Sequence, residues 1–205
     1  MEQLENESEV VKYLEKEQLS VFLKIALDQG LFGDYIIFLV LAYSGIRYGE
    51  LCALKWTDFD FDNHTLSITK TYYNPTNNIL DYQLLTPKTT TSKRKIELSP
   101  IIFTELKKHQ KLQKEYQMLY KKTYHDKKFV FFNKEEHPGY PLYIKFIGNR
   151  MRRLLKLAEL DPKLTPHSLR HTTLLYWQRQ EWAYRRSWNG LVIKMMIRPK
   201  AYTCM

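Results

Sequence analysis

Two histidines and an arginine stand close together in the stretch LTPHSLRHT, which runs from Leu164 to Thr172. Thr165 and Pro166 suit the cap and the first position of a helix, so we predict that a helix begins there. His167 and Arg170 are then three residues apart, which makes them neighbours on one helical face. A histidine and an arginine held side by side could bind one anionic group together.

A second arginine, Arg47, lies in the stretch SGIRYGELCAL. Gly45 is predicted to end one helix and Arg47 to begin the next, so the guanidinium can project from a helix N-terminus, which favours anions. Glu50 follows three residues later and can face the same way, either as a cap or as an orienting partner for Arg47. An isolated arginine at a helix start is usually a solvated charge, so Arg47 alone does not indicate a site.

A lysine, Lys88, lies in LTPKTTTSKRKIEL, a polar turn between two predicted strands, and its flexible side chain can reach into a site. Lys93, Arg94 and Lys95 form a denser basic cluster just beyond it. Such a turn is more often solvated than catalytic, and HSLRH alone is commonly a capping or hydrogen-bonding histidine. The ordered set is more specific than its members: GxRxxE in a helical region, a lysine in a β-turn, then HxLRH on a late helix.

The composition of the chain also favours an anionic partner. Its 205 residues include 32 Lys and Arg against 22 Asp and Glu, a formal net charge of +10. Nucleic acid is the first candidate partner and an anionic membrane surface the second. The longest apolar run, YIIFLVLAY at residues 35–43, is far shorter than the ~20 residues of a membrane span, so we predict a buried helix.

Two further features bear on the compartment. The chain has two cysteines, Cys52 and Cys204, which indicate neither a disulfide framework nor a zinc site. The N-terminal stretch MEQLENESEV is acidic and lacks the apolar region of a signal peptide. We therefore expect a cytoplasmic protein with no membrane partner.

The elements that must position these residues can be predicted from periodicity. Residues 15–56 have helical spacing, with a break at Gly30 and Gly33, and IRYGELCALKW forms their last helix. Residues 59–98 alternate as in a small antiparallel sheet in which DYQLLTPK pairs with SKRKIELS. Residues 99–125 form a long charged helix, FVFFN a short strand or buried turn, and LYIKFIGNRMRRLLKLAEL another helix. The predicted fold class is mainly α with a small antiparallel β-sheet (α+β).

In this order, the motifs resemble the catalytic domain of tyrosine recombinases, the phage integrase family. The resemblance runs from about Lys12 to Thr172 and includes YLEKEQLSVFL, LAYSGIRYGELCALKWTDFDF, TPKTTTSKRKIELS and LTPHSLRHT. It implies an integrase-like catalytic domain at residues 12–175. Residues 1–11 are expected to be the remnant of an interdomain linker, and residues 176–205 an aberrant C-terminal tail.

The resemblance also implies a reaction and a role for each residue. A tyrosine oxygen attacks a DNA phosphodiester, leaving a 3′-phosphotyrosine and a free 5′-hydroxyl, and neither ATP nor a metal is consumed. We therefore expect no cofactor, and as partners double-stranded DNA and possible further copies of the chain on that DNA. The resemblance makes Arg47 and Arg170 the two arginines that clamp the phosphate, and Lys88 the hairpin lysine that acts as the acid. It makes His167 the histidine of the second box and His171 the histidine that follows the second arginine. Glu50 would be the supporting acid.

The resemblance breaks after Leu175, because the expected helix, leucine-glycine-histidine box and tyrosine are absent from the remaining 30 residues. Back-translation offers an explanation. When the codons are read one base earlier from Tyr176, they can encode LLAEAGVGLPEIMERLGHKDDDKT followed by a tyrosine at position 203. We therefore expect a frameshifted C-terminus. Tyr202, one position from the shifted tyrosine, is the best in-frame substitute for the nucleophile, and Tyr184 is a weaker one.

Two functional hypotheses remain open. The first is site-specific DNA recombination and integration by an enzyme from a mobile element, which cleaves and rejoins strands through Tyr202. The second is a catalytically inactive DNA-binding remnant that lacks the nucleophile, and the altered tail favours it for the chain as written. A third, a basic protein that binds RNA or membranes, has only the net charge in its favour.

Overall fold

Helices and two small antiparallel sheets make up the part of the protein that the computed structural model describes, residues 13–76, 78–86 and 93–175. The helices are α1 (Lys16–Asp28), α2 (Asp34–Ser44), α3 (Tyr48–Cys52), α4 (Pro100–Leu119), α5 (Ile144–Leu157) and α6 (residues 166–175). The strands are β1 (Phe59–Asp60), β2 (Thr65–Ile68), β3 (Thr71–Tyr73), β4 (Gln83–Leu85) and β5 (Arg94–Glu97). The prediction of a mainly α fold with small antiparallel β structure is confirmed.

The strands form two sheets, where the sequence predicted one. The first sheet has the order β1-β2-β5, and the second pairs β3 with β4. The predicted pairing of DYQLLTPK with SKRKIELS was wrong, because β4 pairs with β3 and β5 with β2. The register of β2 and β5 places Leu66 opposite Ile96, and both are buried, so this pairing puts two apolar side chains on the core face.

The predicted helix IRYGELCALKW is limited to the five residues of α3. The chain then turns to meet the apolar segment FVFFN in a short antiparallel contact. The Val130 amide donates to the Leu54 carbonyl at 3.0 Å, and the Trp56 amide donates to the Lys128 carbonyl at 3.0 Å. Because this segment is buried and offers partners for the backbone, the chain after Cys52 leaves the helix.

Helix α2 lies at the centre of the core, as the apolar run at 35–43 predicted. Every residue from Ile36 to Ala42 is buried, and Phe38 packs edge-on against Phe22 of α1 with ring centroids 5.2 Å apart. A helix that is apolar on all sides must be covered on all sides. The apolar faces of α4 and α5 complete the same core through Ile102, Phe103, Leu106, Ile147, Met151, Leu154 and Leu155.

Two buried threonines tie α6 to the rest of the fold. The Thr172 hydroxyl accepts a hydrogen bond from the Leu14 amide at 2.9 Å and donates one to the Ser168 carbonyl at 2.9 Å. The Thr173 hydroxyl lies 2.6 Å from the carbonyl oxygen of Ala42 in α2. The helix that carries His167 and Arg170 is therefore fixed to the C-terminal end of α2 by specific polar contacts.

We expect Thr172→Val to lower the free energy of unfolding by about 1–3 kcal/mol, because it leaves the buried Leu14 amide without its acceptor. Thr104→Val is the matched control. The Thr104 hydroxyl also donates to the carbonyl four residues earlier in its helix, but the residue is exposed. The loss of unfolding free energy in this variant should therefore stay within about 0.5 kcal/mol. Urea unfolding of both variants gives the comparison, and equal losses would contradict the anchoring role.

Candidate active site

The first half of the site is built at the C-terminal end of α2. Gly45 closes this helix in the left-handed conformation, with φ 60°, and its amide donates to the Leu41 carbonyl at 3.1 Å. This conformation favours glycine because it has no Cβ. Two residues later Arg47 is the N-cap of α3, as predicted, and its side chain is 58% exposed.

The second half of the site is the first turn of α6. The helix begins at Pro166, as the sequence predicted, and the Ser168 amide donates to the Thr165 carbonyl at 2.8 Å. His167 is exposed, and Arg170 is half-buried and donates from Nη1 to the Gly45 carbonyl. The turn that ends α2 thus sits between the two arginines: it holds Arg170 by hydrogen bond and leads directly to Arg47.

These two halves line one open pocket of about 200 Å³. Three of the predicted site residues, Arg47, His167 and Arg170, lie in its wall. The other lining residues are Ile46, Tyr48, Gly49, Thr71, Tyr72, Ile144 and Pro166. Residues separated by more than a hundred positions in the chain therefore present two guanidinium groups and an imidazole to the same small volume.

The remaining predicted site residues are placed differently. His171 is half-buried and is not part of the pocket wall, but its ring lies 5.1 Å from the ring of His167. The ring of Tyr48 also lies near His167, perpendicular to it, with the ring centroids 6.5 Å apart. Lys88 and Tyr202, together with Tyr184, lie outside the described residues, so their predicted roles stay predictions.

Glu50 is the buried acid behind the pocket, with only 3% of its surface exposed. Its Oε2 accepts the Arg47 backbone amide at 2.9 Å, and its Oε1 is 3.4 Å from Nη1 of the same residue. Arg94 donates to both carboxylate oxygens, at 3.0 and 2.7 Å. Burial alone would raise the pKa of Glu50, but the bonds from Arg94 and the Arg47 amide and the two positive charges outweigh it and hold the pKa below its usual range.

Sequence reasoning missed the part played by Arg94, which it grouped with Lys93 and Lys95 as one basic cluster. The alternation of β5 separates them: Arg94 and Ile96 face inward, whereas Lys95 is exposed. This period of two was available in the sequence. The pairing with Glu50 was not, because 44 positions separate the two residues. The lining residues Tyr48, Thr71 and Tyr72 were also missed, since none carries a motif of its own.

A larger hollow of about 240 Å³ lies elsewhere, lined in part by Phe32, His109, Phe132 and Arg150. None of the predicted site residues is in its wall. Nε of Arg150 is 3.5 Å from the fully buried Asp34. Burial raises the pKa of Asp34, in spite of the Leu31 amide and the nearby arginine charges. The contact links the first residue of α2 to α5.

Within residues 13–76, 78–86 and 93–175, no group of three or more His, Cys, Asp and Glu side chains is arranged to hold a metal ion. In the same ranges, no helix is both long and apolar enough to cross a membrane.

Comparison with known proteins shows the family of the chain. The sequence model of the phage integrase family matches residues 12–183, so the chain belongs to that family. It is 34% identical over 133 residues to the integrase of Staphylococcus phage L54a, covering 65% of this chain and 36% of that protein. It is 28% identical over 163 residues to the transposase of transposon Tn916 from Enterococcus faecalis, covering 77% of this chain and 38% of that protein.

A solved structure has the same fold. The Tn1549 transposon integrase in complex with transposon right end DNA superimposes with a TM-score of 0.72 at 24% identity, over 86% of this chain and 56% of that one. The chain thus spans little more than a third of the length of its two sequence relatives and about half of this structural one. The fold and the family are established for the matched part.

The pKa of Glu50 predicts how stability depends on pH. Because its folded-state pKa is lower than the unfolded value of about 4.3, ionised Glu50 contributes stability above that pH and loses the contribution as the pH falls. Glu50→Gln should therefore cost about 3 kcal/mol near neutral pH, since it leaves Arg94 without its carboxylate, and less towards about pH 3. Glu97→Gln, an exposed acid on β5, is the control. A loss at Glu50 that is independent of pH in urea unfolding would contradict the assignment.

Proposed function

We propose that the chain is the catalytic domain of a tyrosine recombinase, which cleaves and rejoins double-stranded DNA in site-specific recombination and integration. The observation that carries the proposal is the meeting of Arg47, His167 and Arg170 in one open pocket. Membership of the phage integrase family supports it. The relatives matched in sequence are named as an integrase and a transposase, which supports an origin in a mobile element.

The pocket suits an in-line attack on a phosphodiester. The transition state carries extra negative charge on the non-bridging oxygens, and guanidinium groups can answer that charge with paired hydrogen bonds. Arg47 would bind from the start of α3 and Arg170 from α6, while His167 would donate to the same phosphate or handle the tyrosine proton. The donors are fixed before the substrate arrives, because α6 is anchored to α2 and Glu50 braces Arg47.

The nucleophile and the acid remain proposals of their own. Tyr202 would attack the phosphorus and form the 3′-phosphotyrosine. Lys88 would protonate the departing 5′ oxygen, which is a poor leaving group without a proton. His171, whose ring packs on that of His167, would help to orient it. The step needs no cofactor, since the phosphotyrosine conserves the energy of the bond that is cut.

Duplex DNA is the proposed partner. The formal net charge of +10 favours a polyanion, and the Tn1549 integrase was solved with transposon DNA. Strand exchange requires more than one cut, so we also propose that further copies of the chain assemble on the DNA. The cytoplasm is the proposed compartment. The competing hypothesis of an inactive remnant is not favoured by relatives that are named for integration and transposition.

A nicked suicide duplex tests the proposal, because the short cleaved fragment diffuses away and traps the phosphotyrosine. The substrates are a set of overlapping nicked duplexes that together cover the DNA on both sides of the gene. We expect a gel band of protein covalently linked to DNA with one of these substrates, and we expect this band to disappear in Tyr202→Phe. Arg170→Lys keeps the positive charge but loses the paired donors of the planar guanidinium. Adduct formation should therefore fall by about a hundredfold or more, while duplex affinity changes by less than about tenfold.

A second protein, encoded by the frame read one base earlier from codon 176, is the matched comparator. An adduct formed by this version alone would remove Tyr202 from the site and leave Arg47, His167 and Arg170 in it. Duplex binding by both versions without an adduct in either would contradict the enzyme and support the remnant.

A further inference from the structure

Arg94 is the first residue of β5, where it lies opposite Ile68 of β2, and its side chain is only 11% exposed. Its Nη1 donates to Oε1 of Glu50 at 3.0 Å and its Nη2 to Oε2 at 2.7 Å. Two parallel bonds between a planar guanidinium and a carboxylate fix both distance and orientation. The first sheet is thereby joined to α3 through a half-buried ion pair.

The same carboxylate also holds Arg47 through both of its oxygens. Oε2 accepts the Arg47 backbone amide at 2.9 Å, and Oε1 is 3.4 Å from the Arg47 guanidinium. Each oxygen of Glu50 is therefore shared between Arg94, whose side chain is 11% exposed, and Arg47, which opens into the pocket. The orientation that Arg94 imposes on the carboxylate is passed directly to Arg47.

We propose that Arg94 is a positioning residue that fixes the Glu50 carboxylate so that Arg47 is oriented towards the DNA phosphate. The inference rests on the proposed function, since binding a phosphate is the task assigned to Arg47. The charges around Glu50 are consistent with this role. One carboxylate faces two guanidinium groups, so the cluster of Arg47, Glu50 and Arg94 keeps a net positive charge beside the pocket.

Arg94 also decides whether Glu50 stays ionised. Burial is the strongest influence on the pKa of Glu50 and acts to raise it, and Arg94 is the first of the groups that lower it. Without Arg94 the pKa should rise, so that Glu50 gains a proton as the pH falls and releases Arg47. The Arg94 variant should therefore lose its hold on Arg47 at a higher pH than the parent protein does.

The other groups around Glu50 do not produce this behaviour. The charged groups that act on its pKa are Arg94 from β5 and Arg47 from the start of α3. β3 brings Thr71 and Tyr72 against α3 at Gly49, and burial raises the pKa of Tyr72, so it is uncharged here. α5 contributes the apolar Ile144. The histidines of α6 are present in every variant that is compared.

The test follows the Arg47 side chain in the full-length protein, using ¹H–¹⁵N spectra of the arginine Nε groups from about pH 5 to pH 8. The Arg47 signal is assigned by its loss in Arg47→Lys. In Arg94→Gln this signal should move with pH. As the pH is lowered from about 8 to about 5, the affinity of this variant for a short duplex of arbitrary sequence should fall about tenfold more than the affinity of the parent does. Arg94→Lys, which keeps the charge, should show a smaller change.

Two controls separate positioning from folding. Lys95→Gln removes the same charge from the next residue of β5, whose side chain is 57% exposed, and should leave the Arg47 signal and its pH dependence as in the parent. Glu50→Gln combined with Arg94→Gln removes the titrating group, so the extra pH dependence should disappear. Thermal unfolding of each variant confirms that the spectra report folded protein.

The outcomes distinguish this inference from the proposed function. An Arg47 signal that does not respond to Arg94→Gln at any pH would overturn the positioning role. If the Arg47 signal moves but the duplex affinity of Arg94→Gln has the same pH dependence as that of the parent, Arg94 has a structural role only and does not position Arg47 for DNA. Absence of duplex binding by the parent protein would contradict the proposed function, and the spectra would still show whether Arg94 controls the orientation of Arg47.

Discussion

The left-handed turn at Gly45 is the constraint on which the pocket depends. It ends the central helix α2, and its carbonyl accepts the Arg170 guanidinium. It also leads within two residues to Arg47. A Cβ at this position would lie 3.3 Å from the side chain of Thr173, the residue that ties α6 to α2. One tight turn therefore sets the spacing of both arginines, and the buried α2 gives that turn a rigid base.

Charge is arranged around this turn in two layers. The outer layer consists of Arg47, His167 and Arg170, which line the open pocket. The inner layer is the ion pair of the buried Glu50 and the half-buried Arg94, in which both carboxylate oxygens accept hydrogen bonds. A pair of this kind adds little net stability, but it fixes geometry. A site that must bind a phosphate in one orientation needs fixed donors more than it needs additional charge.

Much of this arrangement could be predicted from local sequence. Glycine and a following cap residue locate the break between α2 and α3, the spacing of His167 and Arg170 puts them on one helical face, and the apolar run of α2 indicates a buried helix. The partner of β5 could not be predicted in this way, because alternation specifies a face and not the neighbouring strand. For the same reason the role of Arg94 stayed hidden: its partner is on a different element, and only the tertiary fold brings them together.

The central claim is that Arg47, His167 and Arg170 serve one phosphate. A crystal structure of the protein bound to duplex DNA tests it most directly, since the positions of the phosphates are then observed. We expect one phosphodiester in the pocket, with its non-bridging oxygens within about 3 Å of both guanidinium groups and of the His167 ring. DNA bound across another face, with the pocket between α3 and α6 empty of phosphate, would contradict the account.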